Sequence, residues 1–315
     1  MSSKINLSYI FTTYNKFPYT KETIQDLIKN CDNDEEIVVV DGGSTDGSSE
    51  YLNELFVQGK IHRYISEKDF GEGHGINKGI LSSEGAVIKL ITDDDVFDYE
   101  IIKRCKRYFI ENPSIDVLFA NTASINSATE VAELNILKNY EVWFTNWAKG
   151  QTKNCFICCL PLMMRRKALA NTGLFDTSFK HVDLEFSVRI TSKKTNIAFC
   201  TGLMVCSNIN TSSNSNLFSS VNGNEHRKVA LNYDYVHQSG PIERKREIEF
   251  PSIIKRITNR LFPKKPEPLE YYPDYTLVIE SNIATSNITL LNEMLLKFMK
   301  DYNKKNSIEF IERIL

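Results

Sequence analysis

Three consecutive carboxylates, Asp93, Asp94 and Asp95, follow an apolar stretch of the sequence, and apolar residues resume directly after them. Adjacent acids in this position repel one another unless a cation shares them or water separates them. Hard divalent cations such as Mg²⁺ and Mn²⁺ take oxygen ligands of this kind, usually together with substrate phosphates. Taken alone, this acidic triad is more typical of a solvated turn than of a metal site, so its surroundings have to decide.

The stretch before the triad, residues 86–92, is dominated by β-branched and aliphatic side chains and predicts a buried strand. Upstream, the same reasoning predicts strands over 5–13, 36–40 and 61–66 and helices over 19–30, 49–57 and 75–83. This alternation predicts an α/β fold with a mostly parallel sheet, whose ligands bind beyond the carboxyl ends of the strands. Polar clusters follow three of those ends, at 12–15, 41–46 and 93–95, and together they predict one shared site.

Downstream of the triad, the pattern predicts helices over 98–112 and 179–192 and strands over 115–120, 155–164 and 197–207. The composition changes near residue 208, where a stretch rich in Asn and Ser begins. We therefore expect a domain over 1–207 and a C-terminal extension over 208–315. The extension is predicted to contain a loop, a basic amphipathic helix, a proline-rich linker and a terminal helix.

The basic helix of the extension covers residues 252–262, where apolar side chains recur at helical spacing beside Lys255, Arg256 and Arg260. Basic amphipathic helices are typical of membrane-surface and partner-binding segments. An ordinary surface helix packed on the main domain explains the pattern equally well. Peripheral contact with a membrane is therefore one of two open interpretations.

The overall composition limits the classes of function. The 315 residues are 42% hydrophobic and 25% charged, as in soluble globular proteins. A net charge of −2 gives no general attraction to nucleic acid, so no nucleic-acid partner is expected. Neither a signal peptide nor a membrane-spanning stretch is visible, and the cytoplasm is the expected compartment. The seven cysteines are scattered through apolar contexts, and the CxxC at Cys155 lacks the second ligand pair of a zinc site.

Five motifs carry a resemblance to a known family. They are Thr13-Tyr-Asn15, Asp41-Gly-Gly-Ser-Thr-Asp46, Ser66-Glu-Lys-Asp69, Asn77-Lys-Gly79 and Thr92-Asp-Asp-Asp95. In order and spacing, over roughly residues 5–205, the chain resembles the family 2 glycosyltransferases. The resemblance implies a GT-A fold, in which a nucleotide-binding α/β half joins an acceptor-binding half. It also implies transfer with inversion of the anomeric configuration.

The resemblance implies a role for each motif in binding a nucleotide-sugar. Asp41 corresponds to the residue that accepts the N–H of a pyrimidine base, and residues 13–15 form the other wall of the base and ribose pocket. The triad resembles the family's DxD motif, with Asp93 near the ribose and Asp95 binding the Mn²⁺ or Mg²⁺ ion that bridges the diphosphate. The nucleotide-sugar-binding residues predicted on this basis are Thr13, Tyr14, Asn15, Asp41, Gly43, Ser44, Lys78, Asp93 and Asp94.

Three of these assignments have open alternatives. Asp94 is the middle acid, to which the resemblance gives no definite role. Lys78 adds positive charge near the phosphates or is a solvated helix lysine. Without a ligand, residues 41–47 would pass as an ordinary Gly/Ser/Asp turn in which Ser44 or Asp46 caps a helix.

A catalytic base is expected near the start of the predicted helix 179–192. An acceptor hydroxyl must lose its proton as it attacks, which calls for a carboxylate. The segment resembles the family's helix that opens with an acidic pair and ends in Arg, and alignment on Arg189 places Asp183 at the base. Val182 stands where Glu is frequent, and Glu185 and His181 remain rival candidates. A merely structural acid at a helix N-terminus is the alternative.

These expectations combine into one functional hypothesis. The chain is predicted to be a metal-dependent inverting glycosyltransferase that moves a sugar from a nucleotide-sugar, expected to be a UDP-sugar, to a glycan or lipid-linked acceptor in polysaccharide biosynthesis. A catalytically inactive glycan-binding scaffold is the alternative from another class. A sugar nucleotidyltransferase is the other alternative, although residues 12–17 lack the Gly-rich loop that holds a triphosphate.

Overall fold

The computed structural model describes residues 5–127, 131–136, 139–193, 195–210, 213, 222–235, 277–280 and 287–314. The predicted basic helix at 252–262 lies outside these residues. The strands are β1 Leu7–Thr13, β2 Glu35–Asp41, β3 Arg63–Ser66, β4 Val87–Thr92, β5 Val96–Phe97, β6 Val117–Asn126, β7 Val131–Ile136, β8 Met163–Arg165, β9 Ile197–Ile209, β10 Leu277–Glu280 and β11 Phe310–Arg313. The helices are α1 Phe17–Asn30, α2 Ser48–Val57, α3 Glu72–Ser82, α4 Tyr99–Glu111, α5 Asn139–Ala148, α6 Leu169–Thr172, α7 Val182–Ser192, α8 Asn222–Tyr233 and α9 Ile288–Lys305.

All eleven strands belong to one sheet. Its main path runs β10-β7-β6-β8-β4-β1-β2-β3, and β9 pairs with β6, β5 and β11. The four strands β4, β1, β2 and β3 are parallel to one another, and β9 is parallel to β6. The remaining pairings, which involve β5, β7, β8, β10 and β11, are antiparallel. The predicted α/β architecture with a parallel central sheet is confirmed.

A hydrophobic core covers each face of the sheet, because alternate residues of a strand point to opposite sides. On one face, Tyr9 and Phe11 of β1 join apolar side chains of α1, α2 and α4. On the other, Ile10 packs with side chains of α3, α5 and α7. Helix α3 lies unusually close to the sheet: a Cβ on Gly79 would stand 2.3 Å from Ile10 Cγ2, so only glycine fits there.

One predicted strand takes a different form. Residues 155–162 are apolar and buried in large part, but of the predicted strand only Met163 and Met164 join the sheet, as part of β8. The backbone N–H of Cys155 donates to Thr191 Oγ1 at 3.0 Å, and that of Ile157 donates to Ser187 Oγ at 3.3 Å. Side chains of α7 thus replace a neighbouring strand as hydrogen-bond partners. The apolar composition reflects burial between helices, which hydropathy alone cannot distinguish from a strand.

Beyond residue 207, α8 packs against α7, and the other described elements join the same sheet. Strand β11 pairs with β9, β10 pairs with β7, and α9 packs its Leu291, Leu295 and Met299 against the sheet in a third apolar cluster. The predicted boundary at residue 207 stays a prediction, although β9 continues past it to Ile209. Among the described residues, no helix has the length and apolarity that crossing a membrane requires.

Candidate functional site

The strand register brings the predicted polar clusters to one edge of the sheet. Thr13 is paired with Asp41 across β1 and β2, Thr12 with Thr92 across β1 and β4, and Asp41 with Ser66 across β2 and β3. Because these strands are parallel, all four of their carboxyl ends meet at this edge. The predicted convergence is therefore what the structure shows.

Asp41 is fully buried at the end of β2 and holds the turn that follows. Its carboxylate accepts hydrogen bonds from the Ser44 N–H, at 3.0 Å to Oδ1, and from Ser66 Oγ, at 2.7 Å to Oδ2. Gly43 lies in the left-handed region with a φ of +85°, and a Cβ on Gly42 would stand 2.9 Å from Asp69 Oδ2. Glycine is thus required by the conformation of one residue and by the space around the other.

Residues 13–15 form a loop at the same sheet edge, next to the turn that follows β2. Asn15 has a φ of 53°, and its side chain accepts a hydrogen bond from the Thr45 N–H at 2.8 Å. The backbone N–H of Asn15 donates to Ser44 Oγ at 2.9 Å, so the two loops are fastened to each other. The ring of Tyr14 is 59% exposed beside them and offers a flat face for a planar ligand. Asp46 accepts hydrogen bonds from the Phe17 and Ser48 N–H groups. The N-cap of α2 is Gly47 and has no side-chain cap, so the predicted capping by Ser44 or Asp46 is wrong.

The acidic triad is buried although it is charged: Asp93, Asp94 and Asp95 are 5%, 8% and 5% exposed. Asp93 Oδ2 accepts from Thr13 Oγ1 at 2.8 Å, which ties the triad to β1. Asp95 accepts from the Asn208 N–H at 2.9 Å through Oδ1 and from Thr92 Oγ1 through Oδ2. The triad is therefore a fixed, built feature, and the solvated-turn interpretation is wrong.

Asp94 is held differently from its neighbours. Its Oδ2 accepts from Lys16 Nζ at 2.7 Å and from Asn210 Nδ2 at 2.7 Å. The same ammonium lies 3.4 Å from Asp93 Oδ1. Asp95, by contrast, forms no ion pair with another of the described residues.

Electrostatics at the triad favour binding of a further cation. Burial raises the pKa of Asp93 and, with help from the charge of Asp94, raises that of Asp95. Each Asp95 oxygen accepts one hydrogen bond in the structure, and a carboxylate oxygen has a second lone pair. The residues present therefore fit a hard divalent cation, which Asp95 would hold together with oxygens from a ligand or water.

The closest grouping of three carboxylates in the described part of the chain lies elsewhere. Oxygens of Asp32, Asp34 and Glu35 lie within 4.8 Å of one another where β2 begins, which is the sheet edge opposite the triad. Lys103 pairs with Asp32 at 2.8 Å, and Lys106 pairs with the other two at 2.7 and 2.8 Å. Each member of this group, which we call the edge cluster, thus has an ammonium partner.

Asp183 lies in the first turn of α7, as the sequence predicts. Its Oδ1 accepts from the Leu184 N–H at 2.8 Å. Burial raises the pKa of Asp183, against the opposing effects of that hydrogen bond and of nearby His181. Its charge adds to burial in raising the pKa values of Cys158 and Tyr140.

The two rival acid–base candidates differ in how they are engaged. Glu185 is buried in an ion pair with Arg189, at 2.7 Å, and accepts from the Tyr233 hydroxyl at 2.6 Å. These contacts commit it to joining α7 with α8. The backbone N–H of His181 donates to Glu225 Oε2 at 2.9 Å, and that of Lys180 donates to Oε1 at 2.8 Å. Glu225 of α8 thus holds the residues that lead into α7.

Lys78 does not face the triad. Its ammonium pairs with Glu67 at 2.8 Å, and the ion pairs of the triad among the described residues do not include it. Its predicted contact with phosphates therefore stays a prediction, and the structure brings a different lysine, Lys16, to the acids.

The comparison with protein families bears directly on this edge. Residues 8–173, just over half of the chain, match the model of the family described as Glycosyl transferase family 2. The chain belongs to glycosyl transferase family 2. The match covers β1 to β4 and the triad, and it ends before Asp183 and the residues after β9.

Two proteins with similar sequences support the assignment of the chain to this family. An uncharacterized glycosyltransferase of Nostoc sp. is 28% identical over 133 residues, which cover 40% of this chain and 41% of that protein. The chondroitin synthase of Escherichia coli is 22% identical over 185 residues, 58% of this chain and 26% of that protein. The chain thus spans less than half the length of these two relatives.

A solved structure confirms the GT-A fold that the sequence predicts. It is a mannosyltransferase from Pyrobaculum calidifontis in complex with GDP-Man and Mn²⁺. The likeness has a TM-score of 0.52 at 14% sequence identity and covers 95% of this chain and 74% of the mannosyltransferase chain. At this identity the likeness establishes the fold.

Sequence reasoning missed several residues that contact the triad or the start of α7. Asn208, near the end of β9, contacts Asp95, and Asn210, directly after β9, contacts Asp94, but their Asn-rich surroundings predicted only a loop. Lys16 stands directly after the Thr-Tyr-Asn motif, and its position there was the available signal. Glu225 lies in a helix that no motif marked, and only the fold shows that it contacts the approach to α7.

Proposed function

We propose that the chain is a metal-dependent inverting glycosyltransferase that transfers a sugar from a nucleotide-sugar, expected to be a UDP-sugar, to a glycan or lipid-linked acceptor. The observation that carries the proposal is the buried triad at the carboxyl edge of β4, where Asp95 has no counter-charge among the described residues. A nucleotide-sugar and a divalent cation together supply both the missing charge and the missing oxygen ligands.

On the donor side, the chain's own residues bind and orient the nucleotide. Tyr14 offers its exposed ring to the base. Thr13 donates a hydrogen bond to Asp93 and so holds that carboxylate where it can accept a hydrogen bond from a ribose hydroxyl. Asp41 supports the turn beside the base, and its remaining lone pairs suit a pyrimidine N–H. Asp95 would hold Mn²⁺ or Mg²⁺, and the bound ion supplies positive charge that stabilises the departing nucleoside diphosphate.

On the acceptor side, Asp183 removes the proton of the attacking hydroxyl. Its raised pKa gives the carboxylate a higher proton affinity than an exposed Asp has, which suits a general base. The hydroxyl oxygen bonds to the anomeric carbon as the bond to the diphosphate oxygen breaks. One base and no enzyme nucleophile correspond to a single displacement, which inverts the configuration. Glu185 is engaged with Arg189 and Tyr233 and is the weaker candidate.

The relatives support the substrate classes of this proposal. The mannosyltransferase is named with a nucleotide-sugar and Mn²⁺, and chondroitin synthase is named for a polysaccharide product. We propose further that the protein acts in polysaccharide biosynthesis in the cytoplasm, with residues 252–262 contacting the inner membrane. Sedimentation with anionic vesicles tests this contact, which fails if the intact protein stays in the supernatant or if neutralising Lys255, Arg256 and Arg260 changes nothing.

A panel of nucleotide-sugars tests the main proposal. With Mn²⁺ present, we expect one of them to raise the melting temperature and to release nucleoside diphosphate, since a ligand stabilises a protein in proportion to its affinity. Asp183→Asn should keep the thermal shift but lose about 10²–10⁴-fold of the turnover, the usual contribution of a general base. Asp176→Asn, an exposed acid seven residues earlier, is the matched control and should keep both.

Two outcomes would contradict the proposal. Absence of any thermal shift or turnover across the panel favours the inactive glycan-binding alternative. Full turnover by Asp183→Asn would remove Asp183 from the base position and leave donor binding standing.

A further inference from the structure

Lys16 is the one basic side chain that the described residues bring into contact with the triad. It occupies the N-cap position of α1, directly after the loop of Thr13 to Asn15, and its side chain is only 15% exposed. Its ammonium lies 2.7 Å from Asp94 Oδ2 and 3.4 Å from Asp93 Oδ1. Nothing in the roles described above uses this charge.

We propose that Lys16 is a donor-binding residue whose ammonium contacts the diphosphate of the nucleotide, and that Asp94 is the positioning residue that holds it there. The inference rests on the proposed function, because it names a further ligand for the same donor. It also gives the middle acid of the triad, which the sequence left undecided, a role distinct from that of Asp95.

The first argument is the saturation of one carboxylate oxygen of Asp94. Its Oδ2 accepts from both Lys16 and Asn210 at 2.7 Å, and these two donors fill the two lone pairs of that oxygen. Asp95 instead accepts from one backbone N–H and one hydroxyl and has no ammonium partner among the described residues. The two neighbouring carboxylates are therefore prepared for different cations: Asp94 for an ammonium and Asp95 for a metal ion.

The second argument is the location of the charge. A buried ammonium pays a desolvation cost that one ion pair often fails to offset, so a purely structural purpose is a poor reason for it. Lys16 directly follows the loop of residues 13–15, and its ammonium contacts Asp93 and Asp94, which on the proposed function lie beside the ribose and the metal. A lysine at that junction acts as a point charge for phosphate oxygens. Burial lowers the pKa of Lys16, but the charges of Asp93, Asp94 and Asp95 raise it more, so the ammonium stays protonated.

This role predicts effects of opposite sign on two ligands. Lys16 attracts a diphosphate, but it repels a divalent cation that shares the same carboxylates. Removing its charge should therefore weaken UDP binding and leave the affinity for Mn²⁺ alone unchanged or increased. An ion pair that merely stabilises the fold predicts no loss of UDP binding, and its removal would lower the melting temperature only.

The experiment measures binding to the full chain by calorimetry. UDP and GDP are titrated with Mn²⁺ and with EDTA, and Mn²⁺ alone is titrated separately. Lys16→Gln keeps a hydrogen-bond donor for Asp94 without the charge, and Lys16→Arg restores the charge. Lys21→Gln removes an exposed lysine of the same helix and is the matched control.

We expect Lys16→Gln to bind the nucleotide about tenfold or more weakly, under both conditions, while Mn²⁺ alone binds at least as tightly as before. Lys16→Arg should stay within about threefold of the wild type, and Lys21→Gln should match it. Asp94→Asn should weaken UDP binding by itself but add little in the Lys16→Gln background, since the two residues act as a unit.

The possible failures are distinguishable. If the wild type binds UDP and Lys16→Gln binds it equally well, the role of Lys16 is refuted and the proposed function stands. If Asp94→Asn weakens UDP binding in the Lys16→Gln background as much as it does in the wild type, the positioning role of Asp94 is refuted. If neither nucleotide binds the wild type, the proposed function falls and this inference falls with it. A thermal melt of each variant shows whether the fold survives, and Asp94→Asn, with its expected loss of UDP affinity, supplies the result should Lys16→Gln not fold.

Discussion

Two groups of three acids stand at opposite edges of the same sheet and differ in almost every physical respect. The edge cluster, Asp32, Asp34 and Glu35, brings its oxygens within 4.8 Å of one another. The triad is more deeply buried as a whole, and its three carboxylates are spread among separate partners. By proximity alone, the edge cluster would be the better metal site.

Counter-charge reverses this ranking. Lys103 and Lys106 pair with every member of the edge cluster, so each of its acids already has a positively charged partner. The triad has Lys16 near two of its members and no ammonium at Asp95 among the described residues. A binding site is thus marked by acids whose burial is uncompensated, since such acids gain most when a ligand brings the missing charge.

The sharpest test of the comparison removes one acid from each group. We expect Asp95→Ala to weaken Mn²⁺-dependent binding of UDP by on the order of 100-fold, at the upper end of what loss of even an indirect metal contact causes. Asp32→Ala, which removes an exposed acid of the edge cluster, should change the affinity less than about twofold. Calorimetry at fixed Mn²⁺ measures both.

Either of two results would break the comparison. Unchanged binding by Asp95→Ala would remove the metal role of that residue. A large loss in Asp32→Ala would move the functional cation to the edge cluster.

The sequence predicted the positions of the site elements well, because periodicity and turn residues act locally. Strand ends at Thr13, Asp41 and Thr92 follow from apolar runs that stop at polar residues, and parallel alternation brings them to one edge. Asp183 in the first turn of α7 could also be placed, since its position relative to Arg189 is a matter of helical spacing.

The sequence could not predict contacts between distant segments. Asn210 meets Asp94 across 116 positions, and Glu225 meets the approach to α7 from a helix beyond the last predicted strand. Such contacts depend on how β9 and α8 pack against the rest of the fold, and local sequence patterns do not predict this packing. The apolar run at 155–162 shows the converse error: burial against α7 was interpreted as strand formation.

The second prediction concerns the edge cluster as a structural element. Lys106→Met leaves Glu35, which is 1% exposed, without its ammonium partner, and should lower the free energy of unfolding by about 2–3 kcal/mol. Lys103→Met removes a more exposed ion pair and should cost less than about 1 kcal/mol. Urea unfolding with EDTA present measures both values.

Binding serves as the control for that pair of variants. Nucleotide and Mn²⁺ affinities should be unchanged in both, because the cluster lies at the other edge of the sheet. A binding loss comparable to that of Asp95→Ala would show that the two edges are coupled, and the distinction between them would not hold.

The third prediction is smaller and has the opposite sign. Burial, together with the charge of Asp94, raises the pKa of Asp95 to about 7 in the folded protein, while the unfolded chain has the ordinary value of 3.8. Between these values the folded state binds more protons, so ionisation of Asp95 lowers stability as the pH rises. With EDTA present, Asp95→Asn should therefore match the wild type near pH 4 and become more stable than it by about 1–2 kcal/mol at pH 8.

Asp34 of the edge cluster should respond in the reverse direction. Burial acts to raise its pKa, but hydrogen bonds from Lys106 and Asn6 lower it below the ordinary value, so its ionised form stabilises the fold. Asp34→Asn should thus lose stability relative to the wild type as the pH rises, and the two unfolding profiles should diverge. If Asp95→Asn instead behaves like Asp34→Asn, Asp95 is a structural acid, because only a carboxylate that lacks its cation gains stability when its charge is removed.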